Sequence, residues 1–328
     1  MSERRPVLVA DGLVKRFALR EGLRAHRLQA LREVNLEVYA GECLALVGES
    51  GCGKTTLGKC LVGHLTPDEG CVMHEGTDLS SLRGAAWRRR RRRLQLVFQD
   101  SSQAFDPRLT IFESLAEALP RPKRMREQAA DLLAAVELDE TMLDRLPHQL
   151  SGGQRQRLGI LRALAAEADV VVLDEPVSAL DVSLRDQILD LLSSLRQSHD
   201  LALVFIGHDL GAVRKVADRV AVLYSGRIVE IGSAEEVLSH PSHPYTAALL
   251  EAVPRLGPRA ESPRPLAGDV PSAIAPPPGC AFHPRCPKAE ERCRIELPML
   301  RSPDSLPQPS TRSSANQRVA CHFPKRPA

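Results

Sequence analysis

Up to about residue 240 the chain alternates short apolar runs with longer amphipathic stretches. The runs at 44–47, 170–173 and 201–206 read as buried strands, and 220–224 and 228–231 continue the series. Residues 54–64, 154–167 and 183–198 read as helices, the last with Asp181 near its start as a cap. Strands alternating with helices predict an α/β fold, a mostly parallel sheet with covering helices. A mixed, helix-prone section from about 105 to 168 interrupts the strands and reads as a helical subdomain inserted in the core. There is no internal repeat. Of the 25 prolines, 18 lie after His240. The expected organisation is therefore one domain over 1–240 and a small, loop-rich, Pro/Cys-rich extension over 241–328.

Composition adjusts this picture in three places. A length of 328 residues suits two or three domains of about 100–200 residues each. Apolar residues reach 43% but aromatics only 3%, so Leu, Val and Ala must fill the core. The net charge of +3 is too small to imply nucleic acid, and no such partner is expected. One strong charge run follows Trp87, six arginines from Arg88 to Arg93. Such runs bind nucleic acid or anionic lipid in some proteins. On a nearly neutral chain this one reads instead as a solvated helix end before a strand at 94–98. No signal-type stretch opens the sequence, and no apolar run approaches the ~20 residues of a membrane helix. The chain is expected to be cytosolic, with any membrane role reached through partners. Its eight cysteines then read as thiols or metal ligands rather than disulfides. Cys43, Cys60 and Cys71 read as small apolar filler.

Three motifs carry chemistry. Gly48-Glu49-Ser50-Gly51-Cys52-Gly53-Lys54-Thr55-Thr56 fits G-x-x-x-x-G-K-[ST] and lies between an apolar strand and a helix, as that motif requires. Its glycines let the backbone curl so that successive N–H groups point at phosphate oxygens, and the helix presents its positive end to the same anion. Lys54 can reach the β- and γ-phosphates, and the Thr55 hydroxyl can meet Mg²⁺. Cys52 reads as a filler facing away. In Val170-Val171-Val172-Leu173-Asp174-Glu175, Asp174 at the end of a buried strand suits a Mg²⁺ partner. Glu175, next in line, can polarise an attacking water. The third motif is Leu150-Ser151-Gly152-Gly153-Gln154, a short loop before a helix.

This trio resembles the ATP-binding-cassette (ABC) ATPase family, and residues from about 7 to 239 look like one complete nucleotide-binding domain. The resemblance implies a P-loop NTPase fold, ATP and Mg²⁺ as ligands, and ATP hydrolysis. Gln99 matches the Q-loop, which senses Mg²⁺ and the γ-phosphate and links to the transmembrane partner. Ser151, Gly152, Gly153 and Gln154 match the signature, which in that family covers a nucleotide held by a second subunit. Ser178-Ala179-Leu180-Asp181 resembles the D-loop. His208 matches the switch histidine. Phe17 lies where the family stacks an aromatic ring on adenine, although a lone Phe is also an ordinary core residue. The implied mechanism is head-to-tail closure of two such domains over two ATP molecules, with Glu175 positioning water and Lys54, His208 and Mg²⁺ stabilising the developing charge. Thr55-Thr56 and Gly207 depart slightly from the usual residues without removing a hydrolytic group.

Further matches narrow the group. Phe98-Gln99-Asp100 with Phe105-Asp106-Pro107-Arg108, then His240-Pro241-Ser242-His243-Pro244-Tyr245-Thr246, resemble the oligopeptide, dipeptide and nickel importer ATPases. So does the tail around Cys280, Cys286, Cys293 and Cys321, spaced C-x5-C-x6-C-x27-C. Four thiolates can hold an iron–sulfur cluster or zinc, or stay unligated. Some members of this importer group carry a [4Fe–4S] cluster on that motif, and it is the expectation here. The resemblance implies an ATP-hydrolysing subunit driving peptide uptake. Its implied partners are transmembrane permease subunits, a second ABC ATPase (identical or related) and, indirectly, an extracytoplasmic binding protein. Its implied place is the cytoplasmic face of the inner (plasma) membrane, as a peripheral protein. Import of nickel or another small solute is the alternative. A soluble ABC ATPase acting on ribosomes or DNA usually has two cassettes or a long coiled coil, which this chain lacks. A regulatory scaffold would not need Glu175 and His208.

Overall fold

The computed structural model describes residues 5–21, 24–99, 105–119, 125–178, 180–252, 268–269, 271–302 and 317–324. Asp100 and Ala179, which complete two of the motifs above, lie outside them.

Eleven strands form two sheets among the described residues: β1 (Pro6–Glu21), β2 (Arg24–Tyr39), β3 (Cys43–Val47), β4 (Glu69–His74), β5 (Thr77–Asp78), β6 (Leu94–Val97), β7 (Val170–Asp174), β8 (Ala202–Ile206), β9 (Arg219–Tyr224), β10 (Arg227–Ser233) and β11 (Arg318–Val319). The helices are α1 (Lys54–Leu61), α2 (Gly84–Arg92), α3 (Ile111–Ala116), α4 (Met125–Ala135), α5 (Gly152–Ala165), α6 (Val182–His199), α7 (Leu210–Val216), α8 (Ala234–Ser239), α9 (Pro244–Glu251) and α10 (Glu291–Ile295).

The core sheet runs β11-β10-β9-β3-β8-β7-β6. Strands β9, β3, β8, β7 and β6 are parallel, as expected, whereas β10 turns back antiparallel on β9 and β11 adds antiparallel to β10. Because successive side chains of a strand face opposite ways, this sheet feeds two cores. Cys43, Ala45, Val47, Val171 and Leu173 pack toward α6 and α7, while Leu44, Leu46, Val170 and Val172 pack toward α1 and the second sheet. That second sheet, β2-β1-β4-β5, is antiparallel and was not anticipated. A third cluster, including Phe105, Ile111, Leu133 and Leu158, belongs to the helical section.

Helix α1 ends at Leu61, short of the expected His64. Gly63 takes φ +69°, its N–H and that of His64 return to Cys60 and Lys59, and the ring of Trp87 packs over it. A left-handed glycine of this kind stops a helix. The arginine run forms α2, and several of its side chains are anchored. Arg90 pairs with Glu75 at 2.6 Å, Arg92 donates to the Ala118 carbonyl, and Arg93 pairs with Asp169. The run thereby ties the antiparallel sheet and the helical section to the start of β7.

Candidate active site

The glycine loop connects β3 to α1 at the carboxyl edge of the core sheet. Gly53 stands at φ +110°, and a Cβ there would lie 2.5 Å from the Ala30 carbonyl oxygen, so no other residue fits. Lys54 is buried, and its ammonium donates to the Gly48 and Glu49 carbonyls at 2.8 and 3.0 Å, bracing the loop it crosses. Ser50 and Gly51 are exposed, Thr56 is half-buried in the first turn of α1, and Cys52 fills the core beneath. Burial pushes the Cys52 thiol up, which keeps it an inert neutral group. The exposed Thr55 donates its hydroxyl to Asp174 Oδ1 at 3.0 Å. Burial pushes the Asp174 carboxyl up, and this hydrogen bond pulls it partly back.

Glu175 follows in a left-handed backbone conformation, φ +49°, which costs a non-glycine residue about 1–3 kcal/mol. Its N–H donates to the Ile206 carbonyl at 2.9 Å, and its own carbonyl accepts from Ser178 Oγ at 3.1 Å. These bonds hold the twist that turns the carboxylate to the sheet edge. There it accepts from Gln99 Nε2 at 3.1 Å and faces His208 Nδ1 at 3.5 Å. The side chain of His208 is 64% exposed and that of Glu175 only 22%. Lys54, Thr55, Asp174, Glu175, Gln99 and His208 thus lie along one connected edge, delivered by β3, β6, β7, β8 and the start of α1.

The signature turn is built differently. Ser151 caps α5 by accepting from the Gln154 N–H at 3.2 Å, while Gln154 Oε1 accepts from the Ser151 N–H at 2.9 Å. Gly153 packs against Leu184, whereas nothing lies within 4 Å of a Cβ placed on exposed Gly152. Among the described residues, no hydrogen bond or ion pair joins Ser151–Gln154 to the glycine loop. Asp181 caps α6 through the Leu184 N–H at 2.9 Å, and the adjoining Val182 is 69% exposed. Phe17 lies on β1 opposite Leu28, half-buried, with the Lys15 ammonium 5.8 Å from its ring centre.

The four tail cysteines converge. Cys280, Cys286, Cys293 and Cys321 line one narrow, partly open recess, together with His283 and Phe323. All are free thiols, and the Cys280 N–H donates to the Cys293 carbonyl at 2.8 Å. Burial pushes Cys280 up to about 11 and Cys321 up to about 12, and the neighbouring thiols push both the same way. Among the described residues, the group of three whose ligand atoms all lie within 4.8 Å is instead His74, Glu75 and Asp169. Arg90 and Arg93 bind those acids, so it works as an ion-pair network.

Two residues here escaped the sequence reading. Tyr245 Oη accepts from the Glu49 N–H at 2.8 Å, and Arg285 grips the Glu49 carboxylate. Glu49, expected in the phosphate cradle, thus turns its side chain and its N–H toward the tail. The motifs around Tyr245 and Arg285 were visible in the sequence, but a pairing across 236 positions leaves no local signal.

Comparison with known proteins agrees with this geometry. Residues 31–178 match the family described as ABC transporter, and 229–293 match the oligopeptide/dipeptide transporter C-terminal region. The chain is 45% identical over 325 residues to a probable peptide ABC transporter ATP-binding protein, y4tS, of Sinorhizobium fredii, spanning 96% of this chain and 89% of that protein. It is 44% identical over 308 residues to the dipeptide transport ATP-binding protein DppF of Haemophilus influenzae, spanning 92% and 94%. Among solved structures it is similar to the ATP-binding cassette MJ0796, a dimer in a post-hydrolysis state bound to ADP and Pi. There the TM-score is 0.61 at 28% identity, covering 69% of this chain and 98% of that one. CbiO1 of Clostridium perfringens, part of a CbiONQ transporter complex, gives a TM-score of 0.62 at 26% identity, covering 72% and 91%.

Proposed function

The chain belongs to the ABC transporter family as an ATP-hydrolysing subunit of the peptide-import type, and from that premise we propose how its own residues do the work. The carrying observation is the edge on which Glu175, held by Gln99 and His208, adjoins the Asp174–Thr55 pair. ATP enters as its magnesium complex. The N–H groups of the glycine loop and the positive end of α1 receive the phosphates. Lys54 leaves the Gly48 and Glu49 carbonyls for the β- and γ-phosphates, and Thr55 with Asp174 would hold the magnesium, which would neutralise phosphate charge. Gln99 would join Thr55 and Asp174 in holding that magnesium, and the Glu175 carboxylate orients water in line with the γ-phosphate. His208 supplies a donor to the charge that develops there. Phe17, half-buried and outside the packed cores, serves as the adenine platform.

Ser151–Gln154 closes on the nucleotide of a second cassette. The open space at Gly152 and the bare Val182 support this reading, since both lie on surface that the chain's own fold leaves uncovered. The same closure brings Ser178, Leu180 and Asp181, the last of which caps α6, to the interface. Transmembrane permease subunits and an extracytoplasmic peptide-binding protein complete the machine at the cytoplasmic face of the membrane, with the cassette as its peripheral engine. Among the described residues no helix is long and apolar enough to cross a membrane. The test is reconstitution with the cognate permease and binding protein in vesicles. ATP-dependent uptake of labelled di- and oligopeptides is expected, and uptake of nickel with no peptide uptake refutes the peptide reading.

The recess of Cys280, Cys286, Cys293 and Cys321 suits a [4Fe–4S] cluster. Burial, and secondarily the neighbouring thiols, pushes Cys280, Cys286 and Cys321 toward their neutral forms, and a shared cation centre relieves that cost. A single zinc needs sulfurs about 3.8 Å apart around Zn–S bonds of about 2.3 Å, and these thiols do not form a group within 4.8 Å. The cluster supplies folding stability to a segment with little core of its own. Anaerobic purification followed by visible spectroscopy and iron and acid-labile sulfide analysis is expected to find it. A colourless, iron-free protein refutes it.

A further inference from the structure

We propose that Arg285 and Tyr245 are positioning residues for ATP, clamping the glycine loop from the C-terminal segment through Glu49. The Arg285 side chain is only 3% exposed although it carries a full charge. Its guanidinium meets Glu49 in a two-pronged bridge, at 2.7 and 3.0 Å, and rests 6.0 Å from the ring centre of Tyr224, whose hydroxyl is 3.4 Å away. A fork of this kind fixes direction as well as charge. Tyr245 holds the same residue by its backbone N–H. The two anchors share one footing, because the rings of Tyr224, Tyr245 and Phe282 pack with centres 4.5–5.4 Å apart. Phe282 and Arg285 flank a single turn at the mouth of the cysteine recess, so that segment bears directly on the nucleotide loop.

The chemistry of the substrate gives the clamp its effect. Glu49 places a carboxylate in a loop that must receive a triphosphate. Paired with Arg285 it is neutralised and turned away; unpaired, it repels the phosphates and loosens the loop. Both losses fall on binding of MgATP rather than on the chemical step, because Glu175, Gln99 and His208 lie on other strands. This inference rests on the ATPase reading. Wild-type protein without affinity for ATP sinks that reading, whereas equal affinity in wild type and variant sinks only the clamp.

The experiment measures MgATP affinity with a fluorescent ATP analogue, and steady-state KM and kcat, on the full chain. Arg285→Gln is expected to raise Kd and KM about tenfold, with kcat at saturation within about twofold of wild type. Glu49→Gln, which removes the repulsive charge along with the bridge, raises them only about threefold. The decisive variant is the double, Arg285→Gln with Glu49→Gln. It is expected to return to the Glu49→Gln value, because the stranded carboxylate is gone. Arg285→Lys falls between wild type and Arg285→Gln. Tyr245→Phe, which keeps the ring and deletes the hydroxyl, weakens binding about threefold. Arg292→Gln, which breaks an exposed pair with Glu296 in the same segment, leaves KM unchanged. An Arg285→Gln protein with wild-type affinity overturns the clamp, as does a double variant as weak as the product of the singles. If Arg285→Gln does not fold, Glu49→Gln and Tyr245→Phe decide, and wild-type KM in both overturns it.

Discussion

The two signature glycines should separate fold from function with opposite signs. Each is changed to alanine in turn. At Gly153 an added Cβ stands 2.2 Å from Leu184 Cδ2 and 3.1 Å from Cδ1, so the leucine must move. Overpacking costs about 1–3 kcal/mol, at the low end where a half-exposed leucine tip can turn away. Alanine recovers up to about 1 kcal/mol of helix propensity. The net expectation for Gly153→Ala is a loss near 1 kcal/mol, or about 3 °C in melting temperature. At Gly152 the new methyl meets nothing within 4 Å, so only the propensity gain of a few tenths to about 1 kcal/mol applies. Gly152→Ala should therefore melt at or above the wild-type temperature. In a closed cassette pair the same methyl intrudes on the facing nucleotide. An overpacking cost of about 1–3 kcal/mol there lowers the hydrolysis rate about 5- to 150-fold. Calorimetry or urea unfolding gives the first quantity, and phosphate release across a range of protein concentrations gives the second. A Gly152→Ala protein with wild-type kcat refutes the reasoning, since the open space at Gly152 would then serve no partner.

Three further outcomes are expected. Glu175→Gln should lose about 10²- to 10⁴-fold in hydrolysis while still binding ATP, and the ATP-bound pair should accumulate in light scattering after size exclusion; a variant hydrolysing at wild-type rate removes Glu175 from the chemistry. His243 is buried neutral, its pKa lowered to about 3 by burial, and its Nδ1 accepts from the Tyr245 N–H. Below about 6.5 the unfolded chain takes a proton that the native ring refuses, so stability present above that pH is lost as pH falls toward 3. The loss reaches about 2 kcal/mol by pH 5. His243→Asn keeps a cap and removes the titration, and urea midpoints of the two proteins should diverge between pH 6.5 and 5. Buried Glu230, raised by burial, works in the opposite direction in both proteins and cancels in the comparison; parallel midpoints refute the assignment. Gly63→Ala adds a Cβ 2.3 Å from the Trp87 ring at a left-handed φ and should cost about 2–4 kcal/mol in unfolding free energy, whereas unchanged stability would mean the turn can rebuild.

The motifs and the parallel strands were legible because each is local. Strands at 44–47, 170–173 and 220–224 needed only their own apolar runs, and Glu175 and His208 needed only their neighbours. The long pair β1 and β2 was not legible, because register shifts around Ala10, Leu13 and Lys15 break the period of two that reveals a strand. The turning back of β10 was hidden because direction is a property of pairing. The end of α1 at Leu61 was fixed by the Trp87 ring over Gly63, a contact from another element. The converging cysteines could be suspected from spacing, but the grip of Arg285 on Glu49 belongs wholly to tertiary structure.

Strand β11 has a consequence for how the protein is made. It pairs with the outer side of β10, and Gln317 Nε2 donates to the carboxylate of buried Glu230 at 2.8 Å, from 87 positions later in the chain. At about 5–20 residues per second, a ribosome needs roughly 4–17 s to deliver that partner. During this interval the nascent cassette already holds every phosphate-binding motif, and Glu230 already accepts from the Ser242 and His243 N–H groups, yet the outer edge of β10 stays open. Such an edge is a template for pairing with other chains. Codons that slow translation between β10 and β11 lengthen that interval and should raise the tendency of the cassette to aggregate.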